Sequence, residues 1–197
     1  MEYKTILGLI AVCLQVLSYV VYFYGMYKGK TKPHAFTWFA WGVANVIAFF
    51  AIITSGGGAG TWSIGVNAIL CFVIAGIGAY QRVVVYDLFD WFALVGGILG
   101  AVLWAITDNP LLAVLLISVS DAICFIPTFR KAYRLPYEEN ATSFAIGVLN
   151  YVITLFALET FIFTTWLYPV EIILVDLSLV ILILVRRKYI KSEKSKI

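Results

Sequence analysis

The sequence predicts an all-α membrane protein of seven transmembrane helices, built as two parallel three-helix repeats joined by a connector helix. Three observations predict it. Apolar residues make up 62% of the 197 positions and charged residues 13%, against about 25% charged in soluble domains. Apolar segments recur at the length of about 20 residues that a bilayer-crossing helix needs. A nine-residue polar and aromatic pattern appears twice.

The first span runs from Thr5 to Tyr27, uncharged until Lys28. Residues 35–81 contain no charge, and "SGGGAG" (55–60) supplies the turn that divides them into spans 35–54 and 62–81, with Trp62 as an interfacial anchor. A fourth span lies between Asp90 and Asp108 and is turned by "TDNP" (107–110). The fifth is expected at Leu111–Phe129, the sixth at Asn140–Leu158 and the seventh from about Pro169 to Val185. Each is too long and too uniformly apolar for a strand. Span one lacks a small-residue cleavage site and is read as retained.

Of the fourteen Lys and Arg residues, all but Lys4 follow spans one, three, five or seven. The positive-inside rule then places Lys28, Lys30, Lys32, Arg82, Arg130, Lys131, Arg134 and the tail "RRKYIKSEKSK" in the cytoplasm, with the amino terminus outside. Glu138 and Glu139 are expected to pair with Arg130, Lys131 or Arg134. The basic tail, 188–197, reads as a stop-transfer flank that meets anionic lipid.

"TWFAWGVAN" (37–45) and "TSFAIGVLN" (142–150) match at Thr37/Thr142, Phe39/Phe144, Ala40/Ala145, Gly42/Gly147, Val43/Val148 and Asn45/Asn150. Each copy follows a proline-containing basic loop, and Thr61-Trp62 and Thr165-Trp166 open the next span in each half. Residues 1–81 and 110–187 are therefore the two repeats, with 82–109 between them. Equal sidedness makes the repeats parallel, a plan that holds its ligand between the halves near the midplane.

Polar groups in hydrocarbon are costly unless partnered, so those inside spans mark a cavity or an interhelical bond. Gln15, Asn45, Asn67, Asp121, Asn150 and Asp176 are spread over every span except the connector, which carries Gly96 and Gly100 at helix-packing spacing. One pocket shared by both halves is expected, with Asn67 and Asp176 facing across it and Asn45, Asn150, Trp41 and Asp121 close by. Asp121 and Asp176 are candidates to couple a proton to solute movement. Pro127, lacking a backbone donor, is the expected gating point in span five. Cys13, Cys71 and Cys124 show no ligand spacing and read as small apolar fillers.

The arrangement of three, one and three spans, with "IPTFRKAYR" (126–134) closing a first helix, resembles the SWEET, SemiSWEET and PQ-loop transporter superfamily. Thr128 stands where that family carries glutamine, and "VYFYGMYKGK" (21–30) has no proline in the first repeat. The resemblance implies a small-solute carrier, sugar-like in substrate, working by alternating access. It implies that a third-helix asparagine lines the pocket between aromatic plates. Asn67 takes that place, Asp176 its counterpart, and Trp38 or Trp41 the aromatic side, while the second repeat offers Ser143 and Ile146.

Enzyme classes lack their motifs. There is no GxSxG, HExxH or phosphate-cradling loop, His34 has no second ligand beside it, the glycine-flanked motif of intramembrane aspartyl proteases is missing, and the last span holds no lysine for retinal. The expected partners are a small-molecule substrate and membrane lipid, with no nucleic acid and no cofactor, and a homo-oligomer stays open. A non-transporting receptor and a PnuC-like vitamin transporter are the alternatives on the same scaffold.

The cation distribution generates a first prediction. A cysteine placed at Gly58 in a background without native cysteines is expected to react with an impermeant reagent added outside; reaction only after permeabilisation reverses the topology.

Overall fold

The computed structural model describes residues 2–33, 35–81 and 88–194. Arg82, His34 and Lys196 lie outside the described residues, as do the side chains of Lys191 and Lys194. The chain is an all-α membrane protein of seven helices: α1 (Glu2–Tyr27), α2 (Ala35–Thr54), α3 (Trp62–Tyr80), α4 (Leu88–Thr107), α5 (Pro110–Arg134), α6 (Ala141–Ala157) and α7 (Phe163–Lys194), with a 3-10 turn at Gly58–Thr61. Among the described residues, five helices are long and apolar enough to cross a membrane: α1, α2, α3 with the 3-10 turn before it, α5 and α7. The apolar part of α4 and the whole of α6 are shorter. At about 1.5 Å per residue α6 is somewhat shorter than a hydrocarbon core of about 30 Å.

Several boundaries differ from those expected. Helix α7 begins at Phe163 rather than near Pro169, which falls in its second turn, where only the Thr165 carbonyl loses its donor. It also continues to Lys194, so the described part of the basic tail extends the helix. Helix α5 starts at Pro110 because Asn109 caps it: its side chain accepts from Leu111 N at 3.0 Å, and proline suits a first turn that needs no donor. Asn140 caps α6 in the same way, accepting from Ser143 N at 3.2 Å.

The helices close a ring in the order α1, α3, α2, α5, α7, α6 and back to α1. Exchanging α1 with α5, α2 with α6 and α3 with α7 leaves this cyclic order unchanged. Helix α4 stands outside the ring against α5 and α2. Its glycines allow that approach: a Cβ on Gly96 would overlap Ser120 Oγ, and one on Gly100 would stand 3.2 Å from Leu116 Cβ.

One end of the ring is sealed by close backbone packing. Thr160 N donates to Gly56 O at 3.0 Å, and Lys4 Nζ caps the end of α6 by donating to Leu158 O at 2.7 Å. A Cβ on Gly8 would stand 2.7 Å from Ala59 O, and one on Gly60 would stand 2.8 Å from Leu158 N. Ser63 and Thr154 close the next layer with a hydroxyl bond of 2.8 Å. Gly58 has φ +57° and faces the Glu159 side chain, so exposed Thr160 is the better cysteine reporter for this end.

The basic end is tied differently. Glu138 pairs with Lys32 at 2.9 Å, in the loop of the other half, while Glu139 pairs with Lys131 at 2.7 Å. Lys131 also donates to Lys32 O at 2.6 Å, and Arg187 donates to the carbonyls of Pro136 and Glu139. Arg186 lies over the Tyr133 ring, 4.0 Å from its centroid. These cations hold the α5–α6 loop in place besides marking one end of the bundle.

Burial pushes the Glu139 carboxyl above the ordinary glutamate range, with Lys131 pulling the other way. The folded protein therefore holds this proton more tightly than the unfolded chain does. Its contribution to stability is full below the ordinary glutamate range near 4.3 and is lost as pH rises through the raised value. Thermal unfolding of Glu139→Gln is expected to depend less on pH across the mildly acidic range than wild type. Lys131→Ala is expected to cost about 1–3 kcal/mol at neutral pH by leaving a buried carboxylate without its cation. An unchanged melting temperature for Lys131→Ala refutes this account of the loop.

Candidate functional site

A cavity of about 60 Å³ lies inside the ring, with walls from α1, α2, α3, α5, α6 and α7. Of the residues expected to form a site, Asn45, Asn67, Trp41, Asp121 and Asp176 line it. Asn150 does not. One helical step turns it away from the cavity towards α1, where its Nδ2 donates to Gln15 Oε1, and its neighbours Gly147 and Tyr151 take the wall. Pro127 is also elsewhere: it lines a wider cavity of about 490 Å³ at the basic end, together with Arg130, Lys131 and Arg134.

Asn67 is the hub of the central cavity. Its Oδ1 accepts from Gln15 Nε2 at 2.8 Å and from Tyr19 OH at 2.6 Å. Its Nδ2 donates to Asn45 Oδ1 at 3.0 Å and to Tyr151 OH at 3.1 Å. Asn45 in turn donates from Nδ2 to its own helix at Trp41 O, 2.9 Å away. One amide thus joins α1, α2, α3 and α6, drawing on both halves of the ring. Cys71 belongs to the same group, 3.1 Å from Tyr19 OH and on the cavity wall, so it is more than a filler.

The aromatic side comes from both tryptophans. Ring centroids of Trp38 and Trp41 are 5.0 Å apart, Tyr22 lies 4.9 Å from Trp38, and Phe125 lies 4.5 Å from Trp41. The second half contributes Phe125 and Phe144 in place of tryptophans at Ser143 and Ile146. Ser143 lines the cavity and is bonded to Ser18 across the α1–α6 contact at 2.9 Å. Tyr22, Trp38, Trp41 and Phe144 border both cavities and so form the partition between them.

The carboxylates are less satisfied than the amides. Asp121 is 2% exposed, and neither of its oxygens has a hydrogen-bond partner. Tyr168 OH lies beside it without hydrogen-bond geometry, and Ser118 Oγ, one turn earlier on α5, is also buried and unpaired. Glu171, on α7, has both oxygens buried and unpaired, with Asp121 and Asp176 as electrostatic neighbours. Sequence reading passed over Glu171, although it lies inside span seven and was as visible there as Asp176. Gly147 leaves room for the Asp176 carboxylate, since a Cβ there would stand 3.1 Å from Oδ2. Among the described residues no cluster of His, Cys, Asp and Glu has the geometry to hold a metal ion.

Asn67→Ala removes four side-chain bonds at once. Interhelical bonds in membranes average about 0.6 kcal/mol each, so the loss is expected at about 2 kcal/mol, read as a lower thermal midpoint in detergent. Asn150→Ala removes the single bond to Gln15 and is expected to cost under half as much; equal costs would deny Asn67 its central place. No family model, curated protein or solved structure matches the chain, and the reading of this site rests on its own geometry.

Proposed function

We propose that this chain is a SWEET-like carrier that moves a small polar solute across the membrane by alternating access of two three-helix halves. The observation that supports it most is the position of the central cavity. It is closed at one end by glycine-mediated packing and parted from a wide vestibule at the other end by the side chains of Tyr22, Trp38, Trp41 and Phe144. A carrier needs this asymmetry, because its ligand site opens to one side while the other is sealed. In this reading the repeats are parallel, the vestibule faces the cytoplasm by the positive-inside rule, and the membrane is the plasma or inner membrane.

The cavity of about 60 Å³ has space for a small number of water-sized groups, so the solute site is nearly collapsed in this conformation. Admission of solute requires the aromatic partition to part. Pro127 deprives the Ile123 carbonyl of its helical donor and borders the vestibule, which lets the basic end of α5 bend while its inner part stays packed.

Proteoliposomes containing the chain are expected to take up a labelled solute from a panel of sugars, amines and amino acids in a saturable manner. Pro127→Ala, with a restored helical bond, is expected to slow uptake severalfold without lowering the melting temperature. Saturable binding without flux for every solute that binds would replace the carrier with a receptor.

A further inference from the structure

We propose that the central cavity selects a small organic cation, an ammonium bearing one hydrogen-bond acceptor, held between the carboxylates of Asp121 and Asp176 and the aromatic wall of Trp38, Trp41 and Phe125. This rests on the carrier reading above and names its solute class.

The unpaired groups on the wall decide the chemistry. A sugar is recognised through many hydroxyls, each needing a free donor or acceptor on the protein. Here the amides are already spent on one another: Asn67 makes four side-chain bonds, Asn45 binds Asn67 and its own backbone, and Gln15 joins Asn67 to Asn150. What remains open is of another kind. Asp121 presents two buried oxygens beside Tyr168 OH with no well-formed hydrogen bond, and Asp176 is a second carboxylate on the same wall. No Lys or Arg among the described residues lines this cavity, so the protein supplies no counter-charge there. A carboxylate that is to stay ionised in this cavity needs a partner that brings both charge and donors, and an ammonium brings both.

Aromatic residues lining the same cavity have complementary chemistry. Trp38 meets Trp41 edge to face with centroids 5.0 Å apart, and Trp41 lies tilted against Phe125 at 4.5 Å, so the three rings form an aromatic surface bordering the cavity. Such surfaces attract alkylammonium groups through the ring quadrupole, most strongly where water is excluded. Trp41 is 6% exposed and its Nε1 is buried without an acceptor, the one unpaired donor on this wall among the described residues. A single hydroxyl or carbonyl on the ligand satisfies it. Arg130, Lys131 and Arg134 sit in the outer vestibule, beyond the aromatic partition, and do not enter the site.

The test is binding to the purified full-length chain in detergent, read by tryptophan fluorescence and by thermal midpoint at matched ionic strength. The probes are choline, its neutral isostere 3,3-dimethyl-1-butanol, and glucose. Choline is expected to bind at least tenfold more tightly than either neutral probe. Asp121→Asn and Asp176→Asn, which preserve shape and remove charge, are each expected to weaken choline at least tenfold and leave the isostere unchanged. Trp41→Phe keeps a ring face but removes the Nε1 donor and is expected to weaken choline less than Trp41→Leu, which removes both. Glucose or the isostere binding as tightly as choline overturns the proposal, as does choline binding indifferent to both Asn variants. Choline binding without uptake into proteoliposomes sinks the carrier and leaves the cation site standing. Uptake of a neutral solute with no choline binding does the reverse.

Discussion

The structure depends on one constraint: polar groups inside a membrane must find their partners within the protein. Asn67 meets it on behalf of four helices. By accepting from Gln15 and Tyr19 and donating to Asn45 and Tyr151, it sets how α1, α2 and α6 lie around α3. Lipid tails give apolar helix faces little reason to prefer one neighbour over another, so directional bonds carry much of the specificity. The ring of six helices is the arrangement in which these groups converge on one point.

The two ends of the ring are built from different physics. At the sealed end, Gly8 and Gly60 bring backbone against backbone, and the short helix α6 hands its last carbonyls to Lys4. Close packing of this kind leaves no room for solute. At the basic end, long charged side chains bridge the halves through Lys32, Lys131, Glu138 and Glu139, and they enclose open volume rather than fill it. A bond between flexible side chains yields to a small movement more readily than a buried backbone contact does. In the carrier reading, this difference places movement at the vestibule and rigidity at the far end.

The interior also separates two kinds of polar group. Amides and tyrosine hydroxyls can donate and accept, so around Asn67 those of Gln15, Tyr19, Asn45 and Tyr151 bind one another and become scaffold. Carboxylates that ionise only accept, and no Lys or Arg among the described residues lines the cavity where Asp121 has no hydrogen-bond partner; Glu171, which is not on that wall, is likewise unpaired.

The sequence by itself determined the seven helices, the break at the glycine-rich turn, the gathering of cations after alternate spans, and five of the residues on the cavity wall. Asn45, Asn67, Asp121 and Asp176 were legible because a polar residue in an apolar run has only a few places to go. Tertiary structure alone decided the rest. It turned Asn150 behind Gln15, because a rotation of one residue about α6 exchanges cavity and interface, and the few polar residues of this mostly apolar helix do not specify that angle. It recruited Tyr19, Tyr151 and Phe125, whose rings read as ordinary apolar content until their neighbours are known. It paired Glu138 with Lys32 across the halves, a contact 106 residues apart in the chain, because charge marks which end of the bundle a loop occupies but not which loop lies beside it.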